Sequence, residues 1–300
     1  MLSIRELSKT YGRRGVRALQ SITLEIGNGM YGLLGPNGAG KSTLMRTLAT
    51  LQAPSAGSVE LDGVDLLKEP IRARKLIGYL PQDAGVYPRV TAREMLEYLA
   101  TLRGIATARD RRLAIERQLD RVNLSDVADR RLDTFSGGMR QRFGIATIFL
   151  TRPRLVIVDE PTAGLDPTER RRFQCMLAEA AEGCVLLLSS HIVEDVAGLC
   201  TRMALLHRGE LVLEGDPVSL VRELDGSVWS RRVELPELAA YQERFDLLSW
   251  RPEQGRLVLR AHGEALGSEG FERCEPDLED LYNLHILHSC SGEGLAGTTS

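Results

Sequence analysis

The chain has 300 residues and a formal net charge of −3, which gives no basic footprint for nucleic acid or for a strongly anionic membrane surface. No apolar run approaches the roughly 20 residues of a membrane span, so work at a membrane would need spans supplied by another chain. The five cysteines, Cys175, Cys184, Cys200, Cys274 and Cys290, show no C-x-x-C spacing and read as reduced cytosolic residues.

In chain order, Met1 to Lys9 alternates apolar and polar residues as a strand does and a signal peptide does not. Buried strands are expected at Ile22 to Ile26, Met30 to Leu34, Ile77 to Leu80, Leu155 to Val158, Val185 to Leu188 and Met203 to Leu206. Helical patterns separate most of them, among them the helix from Asp166-Pro167 to the Gly183 stop. This alternation predicts a layered α/β core with largely parallel strands. From Thr91 to about Leu132 strand signals vanish, and charged helices (Ala92 to Leu102, Arg109 to Val122) predict an inserted helical subdomain over about 91–150.

After Pro217 a helix, a strand at Arg232 to Leu235, a helix around Glu237 to Phe245 and a strand at Arg256 to Arg260 predict a small α+β appendage. Its boundary is expected as an unburied stretch near 216–230, dividing 1–220 from an accessory domain at 221–288, with 289–300 a disordered tail.

Gly35-Pro36-Asn37-Gly38-Ala39-Gly40-Lys41-Ser42 matches G-x-x-x-x-G-K-[ST] between a strand and a helix. Such glycines let backbone N–H groups turn onto phosphate oxygens at a helix N-terminus, where Lys41 neutralises the β and γ phosphates and Ser42 can hold Mg²⁺. Lys41 is one of only four lysines in the chain. A second element, Leu155 to Val158 followed by Asp159 and Glu160, is an apolar strand ending in two acids, which stability alone seldom favours. Asp159 is expected on the Mg²⁺ side and Glu160 as general base for the attacking water. Together these two elements define only a P-loop NTPase. The third, Phe135-Ser136-Gly137-Gly138-Met139, places a hydroxyl and two unhindered N–H groups at another helix N-terminus, nearly a hundred residues downstream. One nucleotide rarely needs two such cradles from one chain, so a sandwich of two chains is expected.

In this order the motifs resemble the ATP-binding subunits of ABC transporters over roughly residues 2–215. The resemblance implies that family's fold, a P-loop NTPase with a β-rich N-terminal subdomain and the helical insertion. It implies Tyr11 as the adenine-stacking aromatic, Gly35 to Thr43 as the phosphate loop, and Gln82 as a ligand of Mg²⁺ or the attacking water. It further implies Ser136, Gly137 and Gly138 as the signature, Ala163-Gly164-Leu165-Asp166 as the D-loop and His191 as a γ-phosphate ligand. Met139 stands where glutamine is usual, so that position lacks the amide. The implied molecule is a homodimer closed on two ATP with Mg²⁺, bound to a separately encoded permease at the cytoplasmic face of the cell membrane, with no nucleic-acid partner. A single ATPase domain with a short extension containing Glu275-Pro276-Asp277-Leu278-Glu279-Asp280-Leu281-Tyr282 most resembles the ABC-2 type drug, antibiotic and lipid exporters. An importer ATPase is the nearest alternative, and a soluble non-transport ABC ATPase a more distant one.

Overall fold

A computed structural model describes residues 1–12, 15–82, 85, 88–162 and 165–291; Ala163-Gly164 of the expected D-loop and the tail from 292 lie outside the described residues. The chain opens with strands β1 (Leu2–Tyr11), β2 (Val16–Ile26) and β3 (Gly29–Leu34), then α1 (Lys41–Leu48). There follow β4 (Ala56–Leu61), β5 (Val64–Asp65), α2 (Pro70–Leu76) and β6 (Ile77–Leu80), and then three helices, α3 (Ala92–Leu102), α4 (Ala108–Arg121) and α5 (Gly137–Ile148). Strand and helix next alternate through β7 (Leu155–Asp159), α6 (Pro167–Ala180), β8 (Val185–Ser190), α7 (Val193–Leu199), β9 (Arg202–His207) and β10 (Glu210–Gly215). The last part holds α8 (Pro217–Arg222), β11 (Val228–Val233), α9 (Leu238–Arg244), β12 (Asp246–Glu253), β13 (Arg256–His262), β14 (Glu272–Arg273) and α10 (Leu278–Ser291).

The central sheet has the order β10-β9-β3-β8-β7-β6. Its strands run parallel except for β10, which pairs antiparallel with β9 at the edge. Successive side chains of a strand point to opposite faces, and here both faces are covered. Leu155 and Ile157 of β7, with Val185 and Leu187 of β8, join one apolar core, shared with β1, β2 and α1. Val156, Val158, Leu186 and Leu188 join the other, shared with α3, α4, α5 and α6. Burial on both sides is why these strands read as unbroken apolar runs. By contrast β1 and β2 belong to an antiparallel sheet of order β2-β1-β4-β5, with one face on the core and the other toward solvent.

The helical insertion is closed by side-chain caps. Thr91 and Glu94 form a reciprocal capping box on α3, and Thr107 accepts from the Asp110 N–H on α4, satisfying N–H groups that the first turn leaves open.

The C-terminal sheet, β12-β13-β11-β14, has its own small core of Trp229, Val233, Leu247, Leu257, Leu259, Ala261 and Phe271. Two expectations are corrected here. First, the 216–230 boundary is a buried seam: Leu220, Leu224 and Val228 join the main core together with Leu278, Leu281 and Leu284 of α10. The charged residues around Asp225 hide this because only every third or fourth position faces inward. Second, α10 runs through Ser291, so the helix enters the segment expected to be disordered from 289. An ion pair between Arg260 of β13 and buried Asp280 fastens α10 to the third sheet, and the Asp277 N–H also donates to Asp280 at 2.9 Å.

Candidate active site

The carboxyl ends of β3, β7 and β8 meet at one edge of the parallel sheet, where α/β folds place their ligands. β3 leaves the sheet at Gly35, whose φ is 153° and whose added Cβ would fall 2.3 Å from the Leu206 carbonyl oxygen. Gly40, at φ 106°, would meet the Ala18 carbonyl oxygen at 2.4 Å. No side chain fits at either end of the loop, so glycine alone permits its path. Gly40 is also the N-cap of α1 and offers no side-chain bond, which leaves the first N–H groups of the helix to an anion.

Lys41 begins α1 and is 5 % exposed. Its Nζ donates to the carbonyls of Gly35 at 2.6 Å and Pro36 at 3.3 Å and lies 3.7 Å from Glu160 Oε1. Burial lowers its pKa, and the carboxylates of Glu160 and Asp159 oppose that shift. The cation is therefore held desolvated beside two acids, a state in which its field on a phosphate is strong.

At the end of β7 the backbone turns at Glu160, a non-glycine residue with φ 46°. Strain of this kind persists only where surrounding bonds enforce it, and Ser189 does so. The Glu160 N–H donates to Ser189 Oγ at 3.0 Å, and the same hydroxyl donates to Asp159 Oδ1 at 2.6 Å. The Glu160 carboxylate thus stands at the mouth of the sheet. Its Oε2 accepts from Gln82 Nε2 at 3.1 Å and lies 3.2 Å from His191 Nδ1. Gln82, Glu160, His191, Ala18 and residues 36–43 line one cleft of about 490 Å³. Chain segments from five separate places converge there.

Not every expected site residue lines that cleft. Asp159 is buried behind it, held by Ser189. The Tyr11 ring is 39 % exposed, and its hydroxyl donates to Gln52 Oε1 at 2.7 Å; Gln52 in turn donates to the Thr43 carbonyl at 2.8 Å, which ties Tyr11 to α1. Ser136 and Gly137 are exposed at the start of α5, away from the cleft lining, with the Ser136 hydroxyl accepting from the Met139 N–H at 3.2 Å. Gly138 lies against Glu169 of α6. Asp166 caps α6, accepting from the Thr168 and Glu169 N–H groups at 2.9 Å each.

Three contributors escaped the sequence reading. Ala18 reaches the cleft from β2, with no chemical group to mark it. Ser189 lies near the end of the apolar strand β8, and a hydroxyl there was the available signal. Asp195 looks like an ordinary acid in the first turn of α7, and of its partners Thr162, Arg170 and Gln174 are 21 to 33 residues away in sequence.

Donor chemistry also bears on a metal. Among the described residues no group of three His, Cys, Asp or Glu side chains forms a metal cage. Mg²⁺ is commonly held by phosphate oxygens and water with one or two protein oxygens, and the hydroxyl of Ser42, the carboxylate of Asp159 and the amide oxygen of Gln82 are donors of that kind.

A family model described as ABC transporter matches residues 19–163. The linearmycin resistance ATP-binding protein LnrL of Bacillus subtilis is 34 % identical over 227 residues, 75 % of this chain and 72 % of that protein. The daunorubicin/doxorubicin resistance ATP-binding protein DrrA of Streptomyces peucetius is 37 % identical over 240 residues, covering 79 % and 72 %. The Nod factor export ATP-binding protein I of Rhizobium etli is 34 % identical over 92 % of this chain and 90 % of its own. Among solved structures, the ATP-binding cassette MJ0796, described as a dimer in a post-hydrolysis state bound to ADP and Pi, superposes with a TM-score of 0.66 at 25 % identity, over 72 % of this chain and 98 % of that one.

Proposed function

This chain belongs to the ABC transporter family as an ATP-binding, ATP-hydrolysing subunit, and we propose that it works at the cleft between β3, β7 and β8 to drive export through a separate membrane permease. The Glu160 carboxylate carries this reading. It is strained outward at the strand end, within 3.1–3.7 Å of Gln82, His191 and Lys41.

In this reading the N–H groups of residues 38–43 and the Lys41 ammonium hold the β and γ phosphates. Glu160 takes the proton of the attacking water, and Gln82 orients that water. His191 then donates to a γ-phosphate oxygen as negative charge grows there. Ser42, Asp159 and Gln82 would hold Mg²⁺, which when bound neutralises phosphate charge. The exposed Tyr11 ring is suited to stack on adenine. Because Ser136 and Gly137 face solvent, Gly138 lies against Glu169, and none of the three lines their own cleft, they are assigned, with Asp166, to the nucleotide of a second copy, in keeping with the dimeric MJ0796.

Among the described residues no helix is long and apolar enough to cross a membrane. The membrane path is therefore assigned to a permease, with this subunit at its cytoplasmic face. The names of the drug-resistance and Nod factor relatives favour export of a drug, antibiotic or lipid-like compound. Residues 221–288 are assigned to an accessory domain that sets dimer contacts or permease choice.

Glu160→Gln tests the reading. It should keep ATP binding and lose 10²-fold or more of turnover. With the permease coexpressed, the wild-type chain should lower cellular drug content and Glu160→Gln should not. Turnover within about threefold of wild type removes Glu160 from the mechanism, and drug accumulation instead of efflux turns the direction to import.

A further inference from the structure

Asp195 is 1 % exposed, on the first turn of α7. Its Oδ2 accepts from Thr162 Oγ1 at 2.6 Å and from Ser190 Oγ at 3.2 Å. Its Oδ1 accepts from Arg170 Nε and Gln174 Nε2, each at 2.8 Å, and the second guanidinium nitrogen of Arg170 lies 2.7 Å away. These donors fill the acceptor capacity of a carboxylate, the condition under which a buried charge is tolerated. An acid present only for the helix dipole would lie at the surface and would not bond side chains from three other segments.

The identity of those segments gives the carboxylate its meaning. Thr162 lies two residues beyond Glu160, Ser190 is the neighbour of His191, and Arg170 sits one helical turn beyond Asp166, with its N–H donating to the Asp166 carbonyl at 2.9 Å. We propose that Asp195 is a positioning residue for hydrolysis, locking the loop after Glu160, the turn bearing His191 and the start of α6 into one unit. This rests on the roles given above to Glu160 and His191. Asp195 does not line the cleft and touches no group assigned to the phosphates. Lys41 and the glycine loop are fastened instead through Gly35, Pro36, Ala18 and Leu206. Loss of the junction therefore loosens the groups that act on the attacking water and leaves the phosphate cradle in place. The effect falls on turnover and not on affinity.

The test compares wild type, Glu160→Gln, Asp195→Asn, Asp195→Glu and Arg170→Met as full-length chains, measuring steady-state phosphate release and, separately, ATP affinity by direct titration. Asp195→Asn keeps the shape and removes the charge. It should lower kcat by about tenfold or more, since small misplacements of catalytic groups have effects of that order, while the ATP Kd stays within about twofold of wild type. Asp195→Glu restores the charge and should recover part of the lost kcat. Arg170→Met should lower kcat less, and adding it to Asp195→Asn should cause little further loss, because both act through one junction. A folded Asp195→Asn with near wild-type kcat, or with kcat and affinity falling together, overturns the proposal. If Asp195→Asn does not fold, Thr162→Val and Arg170→Met carry the test: non-additive losses of kcat at constant Kd support it, and additive or absent losses overturn it. Glu160→Gln separates the two levels. Full turnover there sinks the active-site reading itself, whereas an inactive Glu160→Gln beside an active Asp195→Asn sinks only the role of Asp195.

Discussion

Two helices of this chain begin in glycine-containing turns, α1 after Gly35–Gly40 and α5 after Ser136, and their surroundings differ. At α1 the N-cap is a glycine with no side-chain bond, the loop is wedged against the Ala18 and Leu206 carbonyls, and a buried Lys41 stands beside Glu160 in a walled cleft. At α5 the N-cap serine already satisfies the Met139 N–H, Ser136 and Gly137 face solvent, and an added Cβ on Gly137 would meet nothing within 4 Å. The first turn has its cation, a carboxylate beside it and its walls from its own chain. The second has a backbone and a hydroxyl and lacks the rest, so an anion bound there would need its enclosure from elsewhere.

The largest effect that would sharpen this contrast is on affinity. Lys41→Ala removes the cation from the first turn and should weaken ATP binding by about 10- to 100-fold, the range expected for hydrogen bonds to charged groups. Unchanged affinity in a direct titration would make the first turn no more complete than the second.

Mixing defective chains tests the second turn. Ser136→Arg and Lys41→Ala chains should each be inactive alone. In a heterodimer both lesions fall on one composite site, which leaves the other site intact. Random exchange makes half of the dimers heterodimers, each with one working site, so phosphate release should recover to about one quarter of wild type. If crosslinking shows heterodimers and the rate stays at the mean of the single variants, the second turn does not serve a partner.

Single methyl groups then separate backbone necessity from ligand contact. Gly40→Ala combines positive φ with a backbone clash and should destabilise the fold by about 1–3 kcal/mol. Gly137→Ala should stay within about 0.5 kcal/mol yet lower ATPase activity. Equal losses of urea stability would abolish the distinction.

The smallest effect is one of pH. The folded pKa of Lys41 lies below its ordinary value of 10.5, so between those two values the unfolded chain binds more protons than the folded one. Its contribution to stability must rise with pH through that alkaline window. Urea midpoints of wild type should climb relative to Lys41→Ala there, and parallel curves would show that Lys41 is not desolvated.

The amino-acid sequence by itself determined the parallel core, the phosphate loop and the paired acids Asp159 and Glu160, because each depends on residue type at short spacing. β7 and β8 are legible as unbroken apolar runs since both of their faces are covered, and Gly35 and Gly40 are legible since no other residue allows their backbone. The short strands β5 and β14 were not legible: two residues carry no periodicity, and although β5 pairs with β4 across the Asp62-Gly63 turn, β14 pairs with the remote β11. Tertiary structure alone decided that Gln82 and His191 share one oxygen of Glu160, that Ser189 and Asp195 lace the strand ends together, and that α10 is buried on the main core across an apparently polar boundary. Those facts are contacts between segments far apart in the chain, 78 residues in the case of Gln82 and Glu160. Local spacing records which groups a chain carries, and only the packing of the sheet fixes which of them meet.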